Sequence, residues 1–100
     1  MEQKVQLYLS IGTDIGADFS VMAAALPTQK IIGRTYKILH SSPQSVQGAV
    51  GHIRSLEQKY GLPVKIYMES TSIYHLPLYY RLKDAGWEVY VLNPIVTHAN

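Results

Sequence analysis

VKIYMESTSIYHLPLYYRLKDAGWEVYVLNP, residues 64–94, is the stretch on which the reading of this chain turns. Val64, Ile66 and Met68 alternate with Lys65, Tyr67 and Glu69, the period of two that marks a half-buried strand. The stretch closes on a second strand pattern, WEVYVL (residues 87–92), stopped by Asn93 and Pro94. Between the two, Tyr74, Leu78, Leu82 and Ala85 recur at helical spacing, and Gly86 supplies a stop. Pro77 belongs in the first turn of that helix, where its missing amide has no partner to lose. The first strand ends on a carboxylate, Glu69, and the question is whether that carboxylate has a partner.

Upstream, SSPQSVQGAVGHIRSLEQKYGLP (residues 41–63) places Val46, Ala49, Val50, Ile53, Leu56 and Tyr60 on one helical face. Ser42 is the expected N-cap, Pro43 suits the first turn, and Gly61 with Pro63 marks the end. Gly48 and Gly51 each weaken this helix by about 1 kcal/mol relative to alanine, which points to close contact with the sheet. Three strand patterns come first: VQLYLSIGTD (5–14), FSVMAAAL (19–26) and KIIGRTYKILH (30–40). Gly33 is either a bulge or a strand-entry position in the last of them. Their short connections predict an antiparallel meander. The helix that follows is a crossover, so the strand at 64–69 should run parallel to an earlier one. The order β-β-β-α-β-α-β predicts an α/β fold with a mixed sheet, in the order of the ribonuclease H-like fold, in which the fourth strand lies beside the first.

The composition is compatible with this. The 100 residues are 47% hydrophobic and 16% charged, enough for a core and too apolar for a disordered chain. A net charge of +2 is too small to argue for nucleic acid on electrostatics alone. No cysteine is present, which removes disulfide and thiolate chemistry. No apolar run approaches the ~20 residues of a membrane helix, and the start lacks a signal peptide's basic lead. A cytoplasmic protein with no membrane partner is the expectation. Eight tyrosines stand against one phenylalanine, so several rings are expected at half-exposed strand positions or beside a ligand.

If strands one and four are parallel neighbours, Asp14 and Glu69 lie together at their C-terminal ends, where open α/β sheets bind ligands. Alternation puts both on one side, Asp14 with Ser10 and Tyr8, Glu69 with Tyr67 and Lys65. Paired carboxylates repel unless a cation lies between them, and oxygen donors suit Mg²⁺ or Mn²⁺. Two such ions ~4 Å apart activate a water and stabilise a leaving oxygen in phosphodiester cleavage. The plainer reading is that Asp14 caps the turn through Gly16 and that Glu69 bonds the amides of Thr71 and Ser72.

MESTSIYHLPLYYRLKDAGWEVYVLNP (68–94) resembles the second motif of the DEDD transposases of bacterial insertion sequences, RuvC-like enzymes related to the Piv invertase. Met68, Glu69, Ser70, Thr71, Tyr74, Pro77, Leu78, Leu82, Gly86, Asn93 and Pro94 stand in its places. IGTDIGAD (11–18) resembles the first motif, a strand ending Gly-x-Asp. The resemblance implies a RuvC-like ribonuclease H fold, with Asp14 and Glu69 as the first two catalytic, metal-binding acids of an Asp-Glu-Asp-Asp set. It implies that the other two acids, on an Asp-x-x-Asp segment beyond residue 100, complete a two-ion Mg²⁺ or Mn²⁺ site. Residues 1–100 are accordingly expected to be the N-terminal part of a transposase catalytic domain, incomplete at its C-terminus and inactive alone. The expected partner is DNA, with a structured guide RNA in some members. The full-length protein is expected to be a homo-oligomer associated with the nucleoid. Two positions depart from the pattern: Ser72 replaces a glycine, and Ala17 stands where a lysine is frequent.

Smaller signals attach to this reading. Thr71, Ser72 and His75 follow Glu69 closely enough to reach the same cleft, and Lys30, Arg34 and Lys37 are candidates for phosphate contact. Capping accounts equally for Thr71 and Ser72, and a charged edge strand for the three basic residues. Two other functions compete. GTDIGADFSV (12–21) also resembles the opening hairpin of actin-like sugar kinases, although Ala17 and Asp18 replace the glycine and threonine of their phosphate loop. The third reading is a non-catalytic module for protein or RNA contact.

Overall fold

A computed structural model describes residues 6–69 and 73–92. It contains β1 (Leu9–Ile15), β2 (Phe19–Ala25), β3 (Ile31–Leu39), α1 (Pro43–Tyr60), β4 (Val64–Glu69), α2 (Leu76–Asp84) and β5 (Glu88–Leu92), in that order. One sheet holds all five strands in the order β3-β2-β1-β4-β5. β1, β2 and β3 form the antiparallel meander, and β1–β4 and β4–β5 are parallel pairs. This is the mixed α/β sheet of the ribonuclease H-like fold. No helix among the described residues is long and apolar enough to cross a membrane.

The core lies on one side of the sheet. Leu9, Ile11, Met22, Ala24, Ile32, Ile38, Val64, Ile66, Met68 and Val89 project into one cluster with Ala49 and Ile53 of α1 and Leu78 and Leu82 of α2. Both helices therefore cover the same face. The alternate residues line the other face, where Phe19, Ile31, Leu39, Tyr90 and Leu92 are exposed.

The local signals work as their chemistry requires. The Ser42 hydroxyl accepts the Ser45 amide at 3.1 Å and caps α1. Gly61 ends it in the left-handed region, φ 63°, its amide donating to Glu57 O. Arg54, stacked 4.3 Å over the Trp87 ring, donates to Glu57 and to the Ala85 carbonyl. With the Trp87 indole donating to Glu57 at 3.1 Å, this ties α1 to the connection entering β5.

Several expectations need correction. β1 begins at Leu9, not Val5: pairing starts at Ser10–Ala25 and Leu9–Val64, so Leu7 has no neighbouring strand to pack over and is exposed. Tyr74 precedes α2 and is exposed, outside the buried stripe of Leu78 and Leu82. Gly48 does face the sheet closely, since a Cβ there would meet the Tyr36 hydroxyl, but one at Gly51 would meet nothing within 4 Å. The third-strand irregularity is real: the β2–β3 register shifts between Met22 and Ala24, opposite Gly33.

Candidate metal centre

Asp14 and Glu69 are register partners across the parallel β1–β4 pair. Neighbouring strands lie about 4.8 Å apart, so the two residues stand side by side at the strand ends. Their chain neighbours fix the direction. Thr13 and Met68 are buried on the helix-covered face, which sends Asp14 and Glu69 to the open one. The apolar alternation of β1 and β4 thus aims both acids.

They sit on a depression of about 630 Å³ lined by Gly12, Val21, Ala23, Tyr67 and Leu92 as well as the two acids. Among the described residues, no hydrogen bond or ion pair reaches either carboxylate; the one ion pair is Arg54–Glu57. The turn-cap reading of Asp14 does not hold, because the Gly16 amide donates to Phe19 O at 3.0 Å. The corresponding bonds from Glu69 to Thr71 and Ser72 lie outside the described residues.

Register extends the site sideways. Asp14 pairs with Val21, Val21 with Lys37, and Glu69 with Leu92. Lys37, Val21, Asp14, Glu69 and Leu92 therefore form one row across the open face. Lys37 also stacks 4.2 Å over the Phe19 ring. Lys30 does not join this row. It precedes Ile31, which pairs with Ala25 at the opposite end of the sheet, and Arg34 lies in the bulged segment between. The three basic residues are spread along an edge strand rather than clustered. His75 starts α2 with its ring edge against Tyr79 and is not among the residues lining the depression.

Below the carboxylates runs an aromatic ladder. Tyr67 and Tyr90 are register partners with rings stacked at 5.3 Å. Lys65 lies 4.3 Å over Tyr8. The Tyr67 phenol is pushed up to about 12, first by its hydrogen bond with Tyr8, then by burial and by Tyr8, Tyr90 and Glu88 nearby. Tyr90 donates to Glu88 at 2.5 Å, which raises its phenol too. Sequence alternation puts these rings on the acids' face, but only strand order reveals that Tyr67 and Tyr90 touch.

The donor set fits a hard divalent cation in part. Two exposed carboxylates, with no cationic partner among the described residues, offer up to four oxygens, and an octahedral ion takes six. No group of three or more metal-ligating side chains occurs among the described residues. Asp14 and Glu69 by themselves offer fewer oxygens than such an ion takes.

Comparison with known proteins places this geometry. No curated protein is significantly similar in sequence. Among solved structures, a Bacteroides thetaiotaomicron protein with an actin-like ATPase fold and unknown function superposes with a TM-score of 0.58 at 8% identity, over 90% of this chain and 34% of that one. The Aquifex aeolicus Ppx/GppA phosphatase gives 0.51 at 13%, over 87% and 36%. T. thermophilus RuvC in complex with a Holliday junction substrate gives 0.50 at 14%, over 88% and 66%. This chain therefore spans about a third of the first two and about two thirds of RuvC. At such identities the likeness is one of fold. The sequence itself is more specific: residues 11–100 match the family profile of the DEDD transposases of IS110 type, described as transposase. The chain belongs to that family of transposases.

Proposed function

We propose that residues 1–100 form the N-terminal part of the catalytic domain of a transposase that cuts and joins DNA phosphodiesters with divalent metal. The observation that carries this reading is the pairing of Asp14 with Glu69 across β1 and β4, on the face that the helices leave open. Asp14 and Glu69 would hold Mg²⁺ or Mn²⁺. When bound, such an ion would supply charge neutralisation at phosphorus and would lower the pKa of an attacking hydroxyl or water. The two side chains would hold it against the sheet, and the depression beside them leaves room for a phosphate backbone. Lys37, in the same row, would offer a cation to a flanking phosphate. Further acids beyond residue 100 complete the ligand set, so this chain alone cleaves little or no DNA. DNA is the partner, in a cytoplasmic protein associated with the nucleoid. The whole protein is a homo-oligomer; a structured guide RNA is a partner of some members of the family.

The test is made in the full-length transposase. Asp14→Asn and Glu69→Gln, each nearly isosteric, should lower strand cleavage by at least 100-fold while leaving DNA binding within about threefold, because the loss falls on transition-state charge. Cleavage at the wild-type rate in either variant overturns the assignment. The likeness to actin-like folds favours a second reading, nucleotide binding, which calorimetry with MgATP separates: the transposase reading expects no saturable binding.

A further inference from the structure

His40, just past the end of β3, makes three hydrogen bonds to the hairpin that follows Asp14. Its backbone amide donates to Asp18 O at 3.0 Å. Its Nδ1 lies 3.1 Å from Ala17 O, and its Nε2 lies 2.7 Å from Ser20 Oγ. A carbonyl only accepts, so Nδ1 carries the proton; in the neutral ring Nε2 is then the acceptor, and the Ser20 hydroxyl donates to it. Both ring nitrogens are engaged, and both partners belong to the turn Gly16–Asp18 or the strand leaving it. A serine donating to a histidine is also the arrangement of an activated nucleophile. Here Ser20 is 0% exposed on the core face, which keeps substrate away from it.

The same turn is closed by the Gly16 amide on Phe19 O, an approach so close that a Cβ at Gly16 would lie 2.7 Å from that oxygen. Gly16 lets the hairpin close tightly, and His40 holds two of the three turn carbonyls from the side. Asp14 is two residues from this turn and pairs with Val21, one residue past Ser20.

We propose that His40, oriented by Ser20, is a positioning residue that fixes the β1–β2 turn and thereby holds the Asp14 carboxylate in register with Glu69 for metal binding. The proposal rests on the metal reading above. Groups that orient a ligand without touching the metal commonly contribute about tenfold or more in affinity.

The experiment uses the full-length transposase and Mn²⁺ alone, with affinity read by water-proton relaxation and folding by circular dichroism at the same temperature. His40→Ala should weaken Mn²⁺ binding about tenfold. His40→Asn, whose amide can reach Ala17 O as Nδ1 does, should restore affinity to within about twofold of wild type. His40→Gln, which reaches toward Ser20 but not Ala17, should stay weak, and it carries the test should the alanine variant fail to fold. A folded His40→Ala or His40→Gln chain with wild-type affinity overturns the proposal, since a purely structural histidine would change melting alone. If the wild-type transposase shows no Mn²⁺ binding that Asp14→Asn removes, the metal reading itself fails, and the brace falls with it.

Discussion

Thr13 sits beside Asp14 with its side chain turned into the core, 4% exposed, and its Oγ1 has no hydrogen-bond partner. A buried hydroxyl left unpaired costs about 1–3 kcal/mol, whereas valine has the same shape without that cost. Thr13→Val is therefore expected to stabilise the chain by about 1 kcal/mol in urea unfolding; a loss of stability would mean the hydroxyl is satisfied after all. Tyr67 behaves in the opposite sense. Its phenol is raised from 10.0 to about 12, so the fold favours the neutral form. That contribution is complete below pH 10 and is lost as pH rises toward 12. Comparing wild type with Tyr67→Phe, the melting-temperature difference should be constant up to about pH 9 and then move against wild type. A pH-independent difference would remove Tyr67 as the titrating group.

At the scale of elements, α1 offers a matched pair of glycines. A Cβ at Gly51 meets nothing within 4 Å, while one at Gly48 meets the Tyr36 hydroxyl, which donates to Ser45 O at 3.1 Å on a ring stacked against His52. Gly51→Ala should stabilise by about 1 kcal/mol from helix propensity, and Gly48→Ala should gain less or lose, because Tyr36 must leave its partner. Equal gains at both sites would show that α1 does not press on β3 at Gly48. The sequence could not separate these glycines, since both fall at helical positions and only the packing distinguishes them. It did reveal what depends on neighbours in the chain: Ser42, Pro43 and Gly61 cap α1 by local chemistry, and alternation aimed Asp14 and Glu69 correctly. What depends on strand neighbours was hidden. Leu7 continues the alternation of β1 past the point where any strand pairs with it. His40 carries no motif, and its link to Ala17 and Ser20 exists only because β3 folds back beside β2.

In the molecule as a whole, one fact organises the rest: the helices cover one face of the sheet and the acids lie on the other. The open face holds a carboxylate pair at one end of β1 and β4, an aromatic ladder below it, and exposed Phe19, Leu39 and Leu92 around it. The function proposed for this sheet expects the acidic end, and no other acidic surface, to take up metal. Mn²⁺ titrated into the labelled 100-residue chain tests this directly, because a paramagnetic ion broadens amide resonances near its site. Residues 13–15 and 68–69 are expected to broaden first, and Asp14→Asn with Glu69→Gln to abolish the effect. Broadening that begins instead around Glu57, Asp84 or Glu88, or that survives the double substitution, would contradict it.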